Sequence, residues 1–162
     1  MAAVALLALI LVYVLVLVPD KKDQKASAAD VGGLTTAEKQ AVVAAGTEAA
    51  NLLSFRRATF DADYQRALDG ATGSLRSDVA SKKALTKKSL TTGKFDLGAT
   101  VTHQALEGPI EKGGNGYLVL VTVNAYRSTT TTAPVSQDLE ITMVETAGKW
   151  LASDVQSIGA VQ

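Results

Sequence analysis

His103 is the sole histidine of this 162-residue chain, and the chain has no cysteine. That excludes a multi-histidine metal site, thiolate metal ligation, disulfides and a cysteine nucleophile. A lone histidine can still act as a general acid or base if an acidic or hydroxyl side chain lies within hydrogen-bond reach. Asp61, Asp63, Tyr64 and Asp154 are the right types for that partner. His103 falls in phase with the apolar face of an expected strand, where it could line the mouth of a pocket. Its plainer role is that of a sheet-edge histidine with one hydrogen bond. Asp61 and Asp63 fit well as negative charges near a helix start, where the helix dipole favours them. Trp150, the only tryptophan, is either core or a stacking surface for a ligand. His103, Tyr64 and Trp150 are therefore the candidate pocket residues. The sequence holds no glycine-rich phosphate loop, nucleophile elbow, zinc pattern or paired-carboxylate signature. No catalytic residue, metal ligand or cofactor is assigned, and an ATP-driven process would take its ATPase from another chain.

Sixteen basic and sixteen acidic residues are interspersed, giving a formal net charge of zero. Nucleic-acid binding would call for a basic excess with aromatics beside it, and the pattern points to no nucleic-acid partner. The richest basic stretch, Lys82-Lys83 with Lys87-Lys88, reads as a solvated helix face. Lys87, Lys88 and Lys94 could also meet anionic headgroups if the domain lies against a bilayer.

The elements that must position these residues follow from periodicity. Thr35-Thr36-Ala37-Glu38 has the form of a capping box, and Val42, Ala45, Ala49, Leu52 and Leu53 then recur at helical spacing. A second helix is expected from Thr59 or Asp61 to Gly70, burying Phe60, Tyr64, Ala67 and Leu68. A third, mostly surface-lying, runs from about Ser74 to Lys88 with Leu75, Val79 and Leu85 inward. After Gly93 the period becomes two. Phe95, Leu97, Ala99, Val101, His103 and Ala105 share one face of a long strand. Pro109 ends it, and Gly113 to Gly116 reverses the chain. Tyr117 to Tyr126 puts Val119, Val121 and Val123 on one face and Leu118 and Leu120 on the other, as a central strand does. The run Thr129 to Thr132 is a hairpin tip. Leu139, Ile141 and Met143 line a third strand, and Ala147-Gly148 turns into a fourth from Lys149 to about Gln156. Three helices followed by four consecutive strands predict an α+β fold, with helices packed on a curved, mainly antiparallel four-stranded sheet.

Residues 1–19 form a separate unit. Met1 to Val18 carry no charge, at the lower length limit for a helix crossing a hydrocarbon core of roughly 30 Å. The run has no basic start, and its nearest small-residue cleavage pattern lies behind a charged stretch, so a retained transmembrane anchor is expected rather than a signal peptide. Residues 20–33 read as a tether and 34–162 as the domain. Ala2, Ala5 and Ala8 make a small-residue stripe that would let a neighbouring helix approach closely, and Tyr13 needs a hydroxyl partner within lipid. Lys21, Lys22 and Lys25 follow the helix, which by the positive-inside rule favours a cytoplasmic domain. A folded domain can nevertheless be translocated past such charges.

The apolar anchor, the stretch Ala49-Ala50-Asn51-Leu52-Leu53 leading to Phe60-Asp61-Ala62-Asp63-Tyr64, and the segment Gly148-Lys149-Trp150-Leu151-Ala152-Ser153-Asp154-Val155 together resemble the Mce-associated membrane proteins of actinobacteria. The resemblance covers nearly the whole chain and implies a cone-shaped domain similar to nuclear transport factor 2, outside the inner membrane. It further implies a non-enzymatic accessory subunit of an ATP-driven Mce lipid or sterol importer, in contact with its permease and Mce subunits. The chain departs from that family in lacking a basic segment before the helix; either the topology differs or a leader is missing. A membrane-tethered ligand binder or enzyme built around His103, and a secretion-channel scaffold of the same helix-plus-cone plan, are the alternatives.

Overall fold

The computed structural model describes residues 33–110, 115–128 and 133–161. The expected anchor with Ala2, Ala5, Ala8 and Tyr13, most of the tether and the run Thr129 to Thr132 lie outside them. The described residues form an α+β fold of three α-helices, α1 (Thr36–Leu53), α2 (Phe60–Gly70) and α3 (Gly73–Gly93), followed by four strands, β1 (Leu97–Pro109), β2 (Gly116–Arg127), β3 (Val135–Thr146) and β4 (Lys149–Val161). The sheet is antiparallel throughout, with neighbours in chain order. Among the described residues no helix is long and apolar enough to cross a membrane.

Helix α1 begins where its capping box predicts. The Glu38 amide donates to Thr35 Oγ1 at 3.3 Å and the Thr35 amide donates to Glu38 Oε2 at 2.7 Å, so each residue satisfies the other's exposed backbone donor. Its buried face is narrower than expected: Ala41, Ala45, Gly46, Glu48 and Ala49 are buried, while Val42 and Leu53 are partly so. Small side chains let the helix axis approach the sheet, where Ala41, Ala45 and Ala49 pack with Val119, Val121, Val123, Ile141 and Met143. The sequence's strongest β-signals thus form the main core, and β2 is an inner strand as its two-faced apolarity required. A second cluster, Phe55, Phe60, Tyr64, Ala67, Leu90 and Phe95, ties α2 and α3 to the start of β1.

Two expectations shift in α3. The helix runs five residues past Lys88 because Leu90 is pulled into the second cluster, and it ends on Lys94 in the left-handed conformation. Leu85 points outward and is 54% exposed. Core truncation should show this difference. Met143→Ala, at a fully buried position, is expected to cost about 3 kcal/mol in a urea titration, whereas Leu85→Ala should cost no more than about 0.5 kcal/mol.

The hairpin joining β3 and β4 has only Ala147 and Gly148 between the paired Thr146 and Lys149, both at positive φ (51° and 74°). Two consecutive positive φ values match the right-handed twist of the flanking strands. In β1, a bulge breaks the expected alternation: Val101 pairs with Val123 but His103 pairs with Thr122, leaving Thr102 as an extra residue. Beyond it the inward positions are Gln104 and Leu106, opposite Val121 and Val119. The face assigned from periodicity therefore holds only as far as Val101, and His103 and Ala105 turn to the opposite side.

Candidate functional site

The three candidate pocket residues are placed in three different surroundings. His103 is exposed on the sheet face away from α1, in register with Thr122, whose hydroxyl donates to Asp138 Oδ1 at 2.7 Å. Tyr64 is sealed in the second cluster, its ring 5.3 Å from that of Phe55 and 5.2 Å from that of Phe60, with its hydroxyl donating to the Val79 carbonyl. Trp150 is half-buried against the main core and packs on Tyr117 at 5.4 Å between ring centroids. The fold gathers none of them into a common pocket. Asp61 is exposed and paired with Lys83 (3.0 Å) and Lys87 (2.8 Å). Those lysines also lie over the rings of Tyr64 and Phe60, so half of the expected solvated lysine face braces α2 against α3. Among the described residues no three histidine, aspartate or glutamate side chains are grouped to hold a metal ion.

Polar side chains converge instead at a place that carried no expectation. Downstream of α1, Phe55 exchanges backbone hydrogen bonds with Leu97 (3.0 and 2.9 Å), so residues around it run beside the start of β1 as a short extra edge. Between this edge, α2 and the ends of β1 and β2 lies an open depression of about 350 Å³. Its walls carry Arg56, Arg66, Asp96, Ser54, Ser128 and Tyr126. The phenol ring of Tyr126 lies over Gly98, where a Cβ would stand 2.3 Å from Cζ, so only glycine lets the ring rest there.

Both arginines are held by one carboxylate. Asp63, expected to be a solvent-facing charge at a helix start, is 1% exposed. It accepts from Arg56 at its backbone amide (2.9 Å), Nε (3.3 Å) and Nη2 (3.2 Å), from Arg66 Nη2 (2.7 Å) and from Thr59 Oγ1 (2.9 Å). Burial by itself would raise the carboxyl's pKa, but the bonds from Arg56, Arg66 and Thr59 outweigh it and hold Asp63 well below the usual carboxylate range. Beside it, Asp96 takes the backbone amide and Nε of Arg57 at 2.8 and 3.0 Å. The Arg57 bonds lower the Asp96 pKa against a smaller effect of burial.

Two further carboxyls stand out. Glu48 on α1 is 2% exposed, and its Oε1 has no hydrogen-bond partner among the described residues. Burial pushes its pKa up to about 8, with Asp69 adding to the rise and a bond from Asn51 opposing it. On β1, burial and the neighbouring Glu140 carboxyl both raise Glu107.

No family model matches the sequence, and no curated protein does. The architecture itself is shared with a solved protein. The structure of a periplasmic fragment of TraM superposes with a TM-score of 0.59 over 76% of this chain and 98% of that one, at 16% identity. At that identity the likeness to the TraM fragment extends to the fold alone, the helices and four-stranded sheet described above.

The sequence did carry a signal for the arginine site. Arg66 follows Asp63 by three residues, the spacing that places two side chains on one helix face, and Arg56-Arg57 immediately precede α2. What it lacked was any sign that Asp63 faces inward.

Proposed function

We propose that this protein is a non-enzymatic accessory subunit of an Mce-type lipid importer, anchored through residues 1–19 beside the permease, with its cone-like domain outside the inner membrane bracing neighbouring subunits. The observation carrying this reading is the filled interior. Val119, Val121, Val123, Ile141 and Met143 pack against Ala41, Ala45 and Ala49 with no exposed area. The space in which a cone fold would hold a ligand is thus occupied by the chain's own side chains. A bracing role needs rigidity and outer surface, which such a core supplies. The family resemblance supports the choice of machine, and the fold likeness to a periplasmic fragment supports an external domain. A secretion-channel scaffold of the same plan is the second reading, and the periplasmic likeness suits it equally.

The test is gentle-detergent affinity purification of the full-length chain from its native cells, with mass spectrometry of the retained proteins. Mce proteins, permease and ATPase are expected in the eluate. Recovery of secretion-channel parts would favour the second reading, and recovery of the chain alone would remove the subunit model. In the importer model Ala5→Leu with Ala8→Leu blocks close helix approach in the anchor. That double variant should lower permease recovery severalfold while the domain's melting temperature stays unchanged; His103→Ala should alter neither.

A further inference from the structure

We infer that the depression between the Phe55 edge, α2 and the β1–β2 end is a binding site for a phosphate group, either free or as the headgroup of a phospholipid. Apart from the Asp96 carboxylate, its polar side chains can all donate. The side chains of Arg56 and Arg66 are 62% and 50% exposed, and each guanidinium keeps N–H groups beyond those engaged by Asp63. Asp63 fixes both forks in place, so little side-chain freedom is lost when an anion arrives. The serines point the same way. Ser54 Oγ accepts the Ala99 amide at 3.0 Å and Ser128 Oγ accepts the Asp96 amide at 2.9 Å. With its oxygen already accepting from backbone, each hydroxyl has its proton left to donate. The Tyr126 hydroxyl adds a third O–H at the rim.

Charge agrees with the donor count. Arg56, Arg57 and Arg66 face two carboxylates, Asp63 and Asp96, and Asp96 is engaged by Arg57. The site therefore carries one surplus positive charge, and Asp96, the carboxylate in its lining, is engaged at Oδ1 by Arg57. Two guanidinium forks with three hydroxyls exceed what the two oxygens of a carboxylate can use and suit the larger oxygen set of a phosphate. Leu97 and the ring of Tyr126 give an apolar wall for the carbon chain of an ester, and a volume of about 350 Å³ admits a headgroup rather than a whole lipid. This site stands apart from the importer reading; it needs only the folded domain.

The full-length chain in a phosphate-free maltoside detergent should be titrated separately with inorganic phosphate and with a short-chain phosphatidylglycerol below its micelle concentration. Ionic strength is held with chloride, and binding is followed by calorimetry. Saturable binding is expected, weakened about tenfold or more by Arg66→Gln. Tyr126→Phe removes one hydroxyl from a ring that is 49% exposed, so its folding is not at stake; it should weaken binding about fivefold. Tighter binding of the lipid analogue than of phosphate identifies a headgroup site, and binding of phosphate alone identifies a free phosphate or soluble ester. Absence of saturable binding by either probe, or both variants binding like the unaltered chain, overturns the assignment.

Discussion

Glu48→Gln is expected to raise the stability of the domain by about 3 kcal/mol at pH 7 and to flatten its dependence on pH between 5 and 8. Glu48 lies in the contact between α1 and the end of α2, where a Cβ on Gly70 would stand 1.8 Å from its Oε2. Among the described residues only the Asn51 amide reaches it, at 3.3 Å, and its other oxygen has no hydrogen-bond partner. Burial, the largest influence, lifts its pKa from 4.5 to about 8, so the folded protein keeps the proton at neutrality. The unfolded chain gives that proton up at the ordinary carboxylate value. As pH rises from there towards 8, only the unfolded state gains from ionisation, and stability falls by about 1.4 kcal/mol per pH unit. Below the ordinary value both states are protonated and the penalty vanishes. Glutamine resembles the protonated acid in shape and hydrogen bonding but cannot ionise, so it removes the loss without opening a cavity. Chemical denaturation at several pH values reads the effect. Parallel profiles for the two proteins would show that Glu48 ionises freely in the folded state.

Asp63→Asn is expected to destabilise the domain by about 3 kcal/mol. The lost charge is the common acceptor for Arg56, Arg66 and Thr59, and through the Arg56 amide it also fixes the chain between α1 and α2. An amide can accept fewer of these bonds, and its own N–H groups would face donors. The cost sits at the low end for a broken buried pair because both arginines are half in solvent and can be rehydrated. The pH dependence has the opposite sense to that of Glu48. Asp63 ionises well below its ordinary 3.8 in the folded state, so its contribution is complete above that value and is lost as acid protonates the carboxyl. The variant should therefore lose less stability than the unaltered protein between neutrality and strong acid. A difference of less than about 0.5 kcal/mol at neutral pH would mean that the arginines find other partners.

These effects involve residues whose surroundings were poorly legible along the chain. Glu48 reads as one more polar helix position and Asp63 as a helix-start charge. Both are buried because α1 and α2 turn those faces inward, and the arginines that make Asp63 tolerable come from either side of it. The phase of β1 was lost for a related reason. A single extra residue at Thr102 exchanges the two faces as far as the second register shift at Glu107, so His103 leaves the interior and Leu106 enters it. Local alternation cannot record a bulge, since each half of the strand is regular.

Where structure depends on neighbours within a few residues, the chain was explicit. The Thr35–Glu38 cap, the β-branched run of β2, the inward series Leu139, Ile141 and Met143 and the Ala147-Gly148 turn follow from hydrogen-bond period, side-chain shape and φ, and together they dictate three helices followed by an antiparallel four-stranded sheet. The arginine-lined depression arises differently. It requires α2 to lie beside the ends of β1 and β2, bringing Arg56 and Arg66 to Tyr126 and Ser128 and closing the Arg57–Asp96 pair across 39 residues of sequence. Such pairings depend on strand register and helix rotation, which are fixed only when the apolar faces find each other in the folded core.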